Sequence, residues 1–208
     1  MNTSNQQDER VQIREGGPDL LADWFNQHRS SLERIVHFRL HPLLRSRVDP
    51  SDVLQDAFIT ISRRIQDYVQ GESISFFVWI RQLTIQTLID VQRNHFRDKR
   101  DALREIGIPE VSLEQSSCLS IARFLVDDLT SPSQAAVKAE EVELLRAALE
   151  SMSEIDREIL AMRHFEQLNN QQVAEVLGLS PTAASNRYVR AAARLGEILK
   201  AMPSRRPS

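Results

Sequence analysis

The side chains of this chain that are best suited to make specific hydrogen bonds to another molecule lie in a polar, basic stretch near its C-terminus. Asparagine and arginine can each make two hydrogen bonds to one base, with adenine and guanine respectively. An arginine can instead contact phosphate, which positions a protein on DNA without specifying a sequence. The candidates for such contacts are Thr182, Ala183, Ser185, Asn186, Arg187 and Arg190.

A helix-turn-helix at about 170–190 is predicted to carry these residues. Gly178 can adopt the left-handed conformation that ends a short helix sharply. Ala174 lies four residues earlier, and its small side chain lets a second helix pack closely. Ser180 then caps that helix, with Pro181 at its first position. In such a motif the second helix enters the major groove by its N-terminal turns. An ordinary helical hairpin is the alternative interpretation.

The remaining patterns predict helices throughout. Four N-cap signals, at Ser131, Ser153, Asn169 and Ser180, predict C-terminal helices over about 132–151, 154–165, 170–177 and 181–200. Apolar residues at helical spacing also predict helices over 20–47, from Asp49 onward and from residue 76 onward. No convincing strand pattern was found. We therefore expect an all-α fold.

The expected organisation is two helical domains joined by a flexible linker. The first domain should span 19–100 and the second 131–201. The linker is placed at 101–130 because this stretch contains glycine, proline and paired serines and no sustained period. Residues 1–18 and 202–208 are expected to be disordered tails.

Several classes of protein are disfavoured. The polar N-terminus lacks an apolar core for a signal peptide, so we expect a cytoplasmic protein without membrane insertion. Cys118, the single cysteine, excludes a disulfide framework within the chain and is expected to be a buried or inert thiol. His37 and His41 have metal-ligand spacing, but the pattern offers no third ligand. No glycine-rich phosphate loop or nucleophile motif occurs. We therefore expect no cofactor, no metal and no catalysis.

The distribution of charge is more informative than the net charge of −3. Residues 178–208 contain six basic side chains and one acidic side chain. Residues 91–104 contain five basic and two acidic side chains. Two separated basic segments in an acidic chain suggest two contacts with a polyanion. Charge alone would equally fit two solvated helix faces.

Three segments together resemble one family. Residues 49–58 read D-P-S-D-V-L-Q-D-A-F and resemble the D-x-x-D-L-x-Q-x-x-F signature of region 2.2 of bacterial sigma factors. Residues 76–83 (F-F-V-W-I-R-Q-L) and 90–93 (D-V-Q-R) are similar to regions 2.3 and 2.4. Residues 153–195, with the helix-turn-helix, are similar to region 4. The order and the absence of a large extra domain resemble the extracytoplasmic-function (ECF) group of the sigma-70 superfamily.

The resemblance implies an initiation subunit that confers promoter choice on core RNA polymerase. Its implied partners are promoter DNA and the polymerase, through the β′ clamp helices and the β flap. Polymerase binding would fall to Asp49, Asp52, Gln55 and Asp56. Binding of the −10 element would use a polar loop at 66–75 and the helix after it, with Tyr68, Arg81, Gln82, Arg93, Arg97, Lys99 and Arg100 as candidates. The −35 element would be read by the helix-turn-helix.

Many relatives are held inactive by an anti-sigma factor, and a flexible linker is compatible with such a partner. Ala183 and Ser185 depart from the family's frequent Thr and Lys, so the promoter sequence is not transferable from relatives.

The alternative functions are a dimeric helix-turn-helix regulator that binds duplex operator without polymerase, and a purely helical adaptor. Residues 49–58 favour the sigma factor over the regulator.

Overall fold

The computed structural model of the chain describes residues 3–71, 74–102, 118, 120–126 and 135–201. Side chains are described at 7–71, 74–97, 118, 120–126 and 139–201. The chain divides into two compact units, Met1–Pro109 and Glu110–Ser208. This division falls within the segment predicted as the linker. The described residues contain helices and no strand, so the prediction of an all-α fold is confirmed.

The first unit is built on three helices, each of which packs against the other two. They are α1 (Thr3–Arg39), α2 (Pro50–Gln70) and α3 (Phe76–Ala102). A 3-10 turn, Pro42–Leu44, follows α1. As predicted, Asp49 caps α2, its carboxylate accepting a hydrogen bond from the Ser51 amide at 2.8 Å. The apolar stripe of α2 is buried at Leu54 and Ile61, so its polar face is left to solvent.

The N-terminal tail predicted as disordered over 1–18 is helical over the residues that the structure describes, which begin at Thr3. Within them the helix is interrupted only at Gly17, whose φ is 64°. We call residues 3–16 the N-terminal arm. Its composition is polar, and the only strong burial in its described side chains is Ile13, which is 4% exposed. One buried residue gives no hydrophobic period, which explains why the sequence did not indicate an ordered element.

The loop predicted over 66–75 is shorter than expected. Helix α2 continues to Gln70, and Gly71 caps it by donating a hydrogen bond from its amide to the Tyr68 carbonyl. Tyr68 is therefore a helical residue and is only 2% exposed. Its ring packs against Phe76 and Trp79, with centroids 5.5 and 5.2 Å apart. Burying a large aromatic ring gains more free energy than exposing it in a loop, so the aromatic cluster extends the helix.

The second unit packs around a long C-terminal helix. Helix α4 is described at Cys118 and 120–126, followed by α5 (Ala135–Glu150), α6 (Glu154–Leu160), α7 (Asn170–Leu177) and α8 (Pro181–Ala201). A π-helical turn, Ala161–Phe165, continues α6. Helix α8 contacts α5, α6 and α7. The start predicted at Ser131 lies outside the described residues.

The caps predicted at Ser153, Asn169 and Ser180 are confirmed. Asn169 and Gln172 form a reciprocal capping box at the start of α7. Ser153 accepts a hydrogen bond from the Asp156 amide at the start of α6. Gly178 ends α7 in the left-handed conformation, with φ 63°. These short-range signals set the helix boundaries on which the candidate DNA-binding surface depends.

Cys118 and His41, the side chains considered above for thiol or metal chemistry, are both buried and packed within the protein. Cys118 is buried, and burial raises the pKa of its thiol, which keeps it protonated. His41 accepts a hydrogen bond from the Leu43 amide through Nδ1 and packs its ring edge against Phe96. Within the described part of the chain, no group of three or more metal-ligating side chains comes together. No helix described there is long and apolar enough to cross a membrane.

Candidate nucleic-acid interface

The turn between α7 and α8 holds the second helix at a fixed angle. Ala174 is 2% exposed, and its carbonyl accepts a hydrogen bond from the Leu179 amide at 2.9 Å. Asn170 at the start of α7 donates through Nδ2 to the Pro181 carbonyl at 2.8 Å. The Ser180 hydroxyl oxygen caps α8 by accepting from the Ala183 amide. Two helices locked across a left-handed glycine form a helix-turn-helix, as predicted.

Helix α8 presents one polar face to solvent. Ala184 and Ala191 are 0% and 1% exposed and turn toward the unit's core. Five of the six sequence-predicted residues lie on the exposed side: Thr182, Ala183, Ser185, Asn186 and Arg190. Because these side chains surround the N-terminal turns of α8, they are placed to enter a major groove.

Arg187, the sixth predicted residue, is engaged elsewhere. Its Nε lies 2.8 Å from Asp156 Oδ1, and its Nη2 lies 3.5 Å from the Ser153 hydroxyl. Both partners belong to the start of α6, so the guanidinium ties α8 to α6. A guanidinium held in this way cannot read a base without breaking the ion pair. Contact of Arg187 with DNA therefore stays a prediction, and it would require this partly exposed ion pair to open. The pairing follows from the packing of α6 against α8, which the local sequence does not reveal.

We expect Arg187 and Asp156 to be coupled in stability. A double-mutant cycle of Arg187→Ala and Asp156→Ala should give a coupling energy of about 0.5–1 kcal/mol in urea unfolding, because the pair is partly shielded from water. Arg190→Ala is the matched control, since Arg190 is exposed on the same helix. It should leave stability unchanged and weaken DNA binding. Additive effects of the two substitutions on unfolding would contradict this pairing.

Val189 is a surface residue that the sequence analysis did not single out. It is 61% exposed on α8. It follows Ser185 and Asn186 by one helical turn, so it continues the same face. An apolar side chain there could contact a thymine methyl group. Its spacing of four residues from Ser185 could have indicated that it lies on the same exposed face. A valine on a helix is, however, ordinarily assigned to the core.

A second polar stripe runs along α3 in the first unit. Gln82, Gln86, Arg93 and Arg97 are exposed and recur at intervals close to one or two helical turns. Arg93 lies 4.0 Å from Asp90, in a pair that is more than two-thirds exposed on both sides. Such a pair is weak and leaves the arginine available to phosphate. The side chains of Lys99 and Arg100 lie outside the described residues.

Two of the predicted −10 contacts are not on this stripe. Arg81 is 4% exposed, on the inner side of α3, because it precedes Gln82 by one position and so points about 100° away. Tyr68 is enclosed by Phe76 and Trp79. Neither side chain can reach a nucleic acid while the core is intact. These two predictions are corrected. Tyr68 lies seven residues after Ile61 and so continues the apolar stripe of α2, a signal that was missed. The burial of a charged residue such as Arg81 is not visible in the local pattern.

The acidic residues of α2 form a separate exposed face. Asp49, Asp52, Gln55 and Asp56 all face solvent. On one side of Asp52 is a depression of about 250 Å³ that Asp49 and Asp56 also line. On its other side is a groove of about 260 Å³ between α1 and α2, whose apolar lining includes Phe25 and Phe58. An acidic edge beside an apolar groove suits a helix that carries both basic and apolar side chains.

The fold and these surfaces define a helical DNA-binding protein with a helix-turn-helix domain. Residues 142–195 match the family described as sigma-70, region 4. The chain is 34% identical over 153 residues to the probable RNA polymerase sigma factor RfaY of Xanthomonas campestris pv. campestris, covering 72% of this chain and 34% of that protein. It is 26% identical over 153 residues to the RNA polymerase sigma factor CnrH of Cupriavidus metallidurans, covering 74% of each. These likenesses support a sigma factor of the ECF type, with residues 142–195 as its sigma-70 region 4.

Solved structures give a weaker likeness. CnrH in complex with the cytosolic domain of CnrY superposes with a TM-score of 0.49 at 17% identity, over 95% of this chain and 98% of that chain. The sigma factor RpoE in complex with the anti-sigma factor NepR, from Bartonella quintana, gives 0.43 at 16% identity, over 86% and 98%. The chain spans about a third of the length of RfaY and about three quarters of that of CnrH.

Proposed function

We propose that this protein binds core RNA polymerase and directs it to promoters for transcription initiation. The observation that carries the proposal is the presence, in one chain of this family, of an exposed acidic face on α2 and an exposed helix-turn-helix surface on α8. A regulator that binds operator DNA needs only the second surface. Both surfaces together suit a protein that joins a polymerase to DNA.

Each surface has a proposed partner. The acidic edge of α2, with the neighbouring apolar groove, would receive the clamp helices of the β′ subunit, and the second unit would contact the β flap. The stripe on α3 would follow the −10 element, with Gln86 added to the residues predicted from sequence. The exposed side of α8, including Val189, would read the −35 element as duplex. Binding to DNA should weaken as salt rises, because phosphate contacts release counterions.

The experiment that tests the proposal is a selection of DNA from a randomised duplex library, with and without bacterial core polymerase. A sigma factor should enrich a two-part sequence only when core polymerase is present. Enrichment of a palindrome by the chain alone, together with a dimer in sedimentation, would establish the dimeric regulator instead. The same sample measures both alternatives, so a folded protein gives a decisive result either way.

Two consequences follow from this function. The protein itself would catalyse no reaction, since RNA synthesis belongs to the polymerase. It would act in the cytoplasm, where bacterial polymerase works. An anti-sigma partner stays a prediction from the family resemblance, and the partners named in the CnrH and RpoE complexes belong to those proteins.

A further inference from the structure

The N-terminal arm contacts both ends of the connection between α2 and α3. Glu9 accepts two hydrogen bonds through the same oxygen, from the Tyr68 hydroxyl at 3.2 Å and from the Phe76 amide at 3.3 Å. Arg10 donates through Nη2 to the Ile74 carbonyl at 3.2 Å. Its guanidinium also lies 5.1 Å from the centre of the Tyr68 ring. The three hydrogen bonds join residues 59 to 67 positions apart.

The chemistry of these contacts suits a fixed anchor. The Phe76 amide is one of the groups at the start of α3 that has no partner within its own helix, so the Glu9 carboxylate caps that helix and complements its dipole. The Tyr68 hydroxyl belongs to a ring that is 2% exposed, so it needs a partner inside the protein. Arg10 adds a cation over the face of the same ring. The arm is thus held by polar bonds where it has few apolar contacts.

Ile74 and Phe76, which the arm contacts, lead directly into the polar stripe of α3. A segment fixed before binding loses less conformational entropy when it receives a ligand, and therefore binds more tightly. Residues on the outer side of the arm, such as Asp8 and Arg14, are exposed and take no part in these bonds. The contacts that matter are thus confined to one side of the arm.

We propose that Glu9 and Arg10 are positioning residues that hold Ile74 and the start of α3 ready for the unpaired strand of the −10 element. This inference rests on the proposed function. Neither side chain is required to touch DNA. The N-terminal arm then belongs to the DNA-melting unit, and shortening the protein to the region that matches known motifs would impair it.

The test compares Glu9→Ala, Glu9→Gln and Arg10→Ala in the full chain bound to core polymerase. The probe is a fork-junction DNA with an unpaired −10 strand, taken from the sequence that the wild-type holoenzyme selects. Glu9→Ala and Arg10→Ala should each weaken binding by roughly five-fold or more. Glu9→Gln should restore most of the affinity, because an amide oxygen still accepts both hydrogen bonds. Asp8→Ala is the matched control and should bind like wild type.

Other readouts separate positioning from misfolding. Affinity for core polymerase and for the −35 duplex should be unchanged in all variants. Hydrogen exchange at the Phe76 amide of the free protein should become faster in Glu9→Ala and recover in Glu9→Gln. Wild-type affinity in Glu9→Ala would overturn the inference, and so would tighter binding by Glu9→Gln, which would show that the carboxylate only repels DNA. If the wild-type holoenzyme selects no DNA, the proposed function itself fails and this role fails with it.

Discussion

Replacing Tyr68 by alanine is expected to lower the free energy of unfolding of the first unit by about 3–5 kcal/mol, the range found for removing a large buried aromatic side chain. The ring lies between Phe76 and Trp79 and is almost fully enclosed. Its removal would leave a cavity lined by two aromatic rings and would leave Glu9 without one of its hydrogen-bond donors. Urea unfolding followed by circular dichroism measures the change directly.

Two further variants give this prediction its controls. Tyr68→Phe keeps the ring and loses only the hydroxyl, so it should cost about 1 kcal/mol. Ile59→Ala removes an apolar side chain from the same helix at a position that is 43% exposed, and should change stability far less. If Tyr68→Ala unfolded like wild type and instead lost binding to the unpaired −10 strand, the result would contradict the enclosed position of the ring. Tyr68 would then be a residue that stacks on a base.

The second large effect is expected at Ala174. A leucine there should destabilise the second unit by about 1–3 kcal/mol, because it forces extra methyl groups into a site that is 2% exposed at the turn of the helix-turn-helix. The strain falls where the Ala174 carbonyl receives the Leu179 amide, so α8 should also lose its orientation. Binding to −35 duplex should fall by at least about ten-fold, measured by fluorescence anisotropy, since a misoriented helix loses several base and phosphate contacts.

Ala193→Leu makes the same chemical change on the exposed side of α8. It lies beyond the N-terminal turns, so we expect stability within about 0.5 kcal/mol of wild type and nearly normal DNA affinity. Equal behaviour of Ala174→Leu and Ala193→Leu would show that the close packing inferred at the turn does not exist.

The features that could be predicted from sequence are those set by neighbours along the chain. Asn169 and Gln172 are three residues apart, and the left-handed turn at Gly178 depends on that residue's lack of a Cβ, so both could be inferred locally. The acidic face of α2 was also predictable, because Leu54 and Ile61 mark the opposite, buried side. Local rules therefore gave the helices and most of the exposed surfaces.

The contacts that were not predicted lie where distant residues meet. Arg187 is exposed by its helical position, yet Asp156, 31 residues earlier, holds it in an ion pair. Tyr68 continues the apolar spacing of α2 seven residues after Ile61, but nothing along the chain indicates that Phe76 and Trp79 will enclose it. The N-terminal arm is polar enough to be taken for a tail, and Glu9 finds its partners 59 and 67 residues away. Such contacts depend on tertiary packing, which no short pattern contains.

The most direct test of the proposed function is binding of the purified protein to bacterial core RNA polymerase, beside an Asp52→Arg/Gln55→Ala variant. Both residues are exposed, so the variant should fold normally and any loss reports the surface itself. We predict stoichiometric binding by the wild type and its loss in the variant, because the new cation repels a basic partner at the edge of the apolar groove. A folded wild-type protein, free of any anti-sigma factor, that binds no polymerase would contradict the proposal.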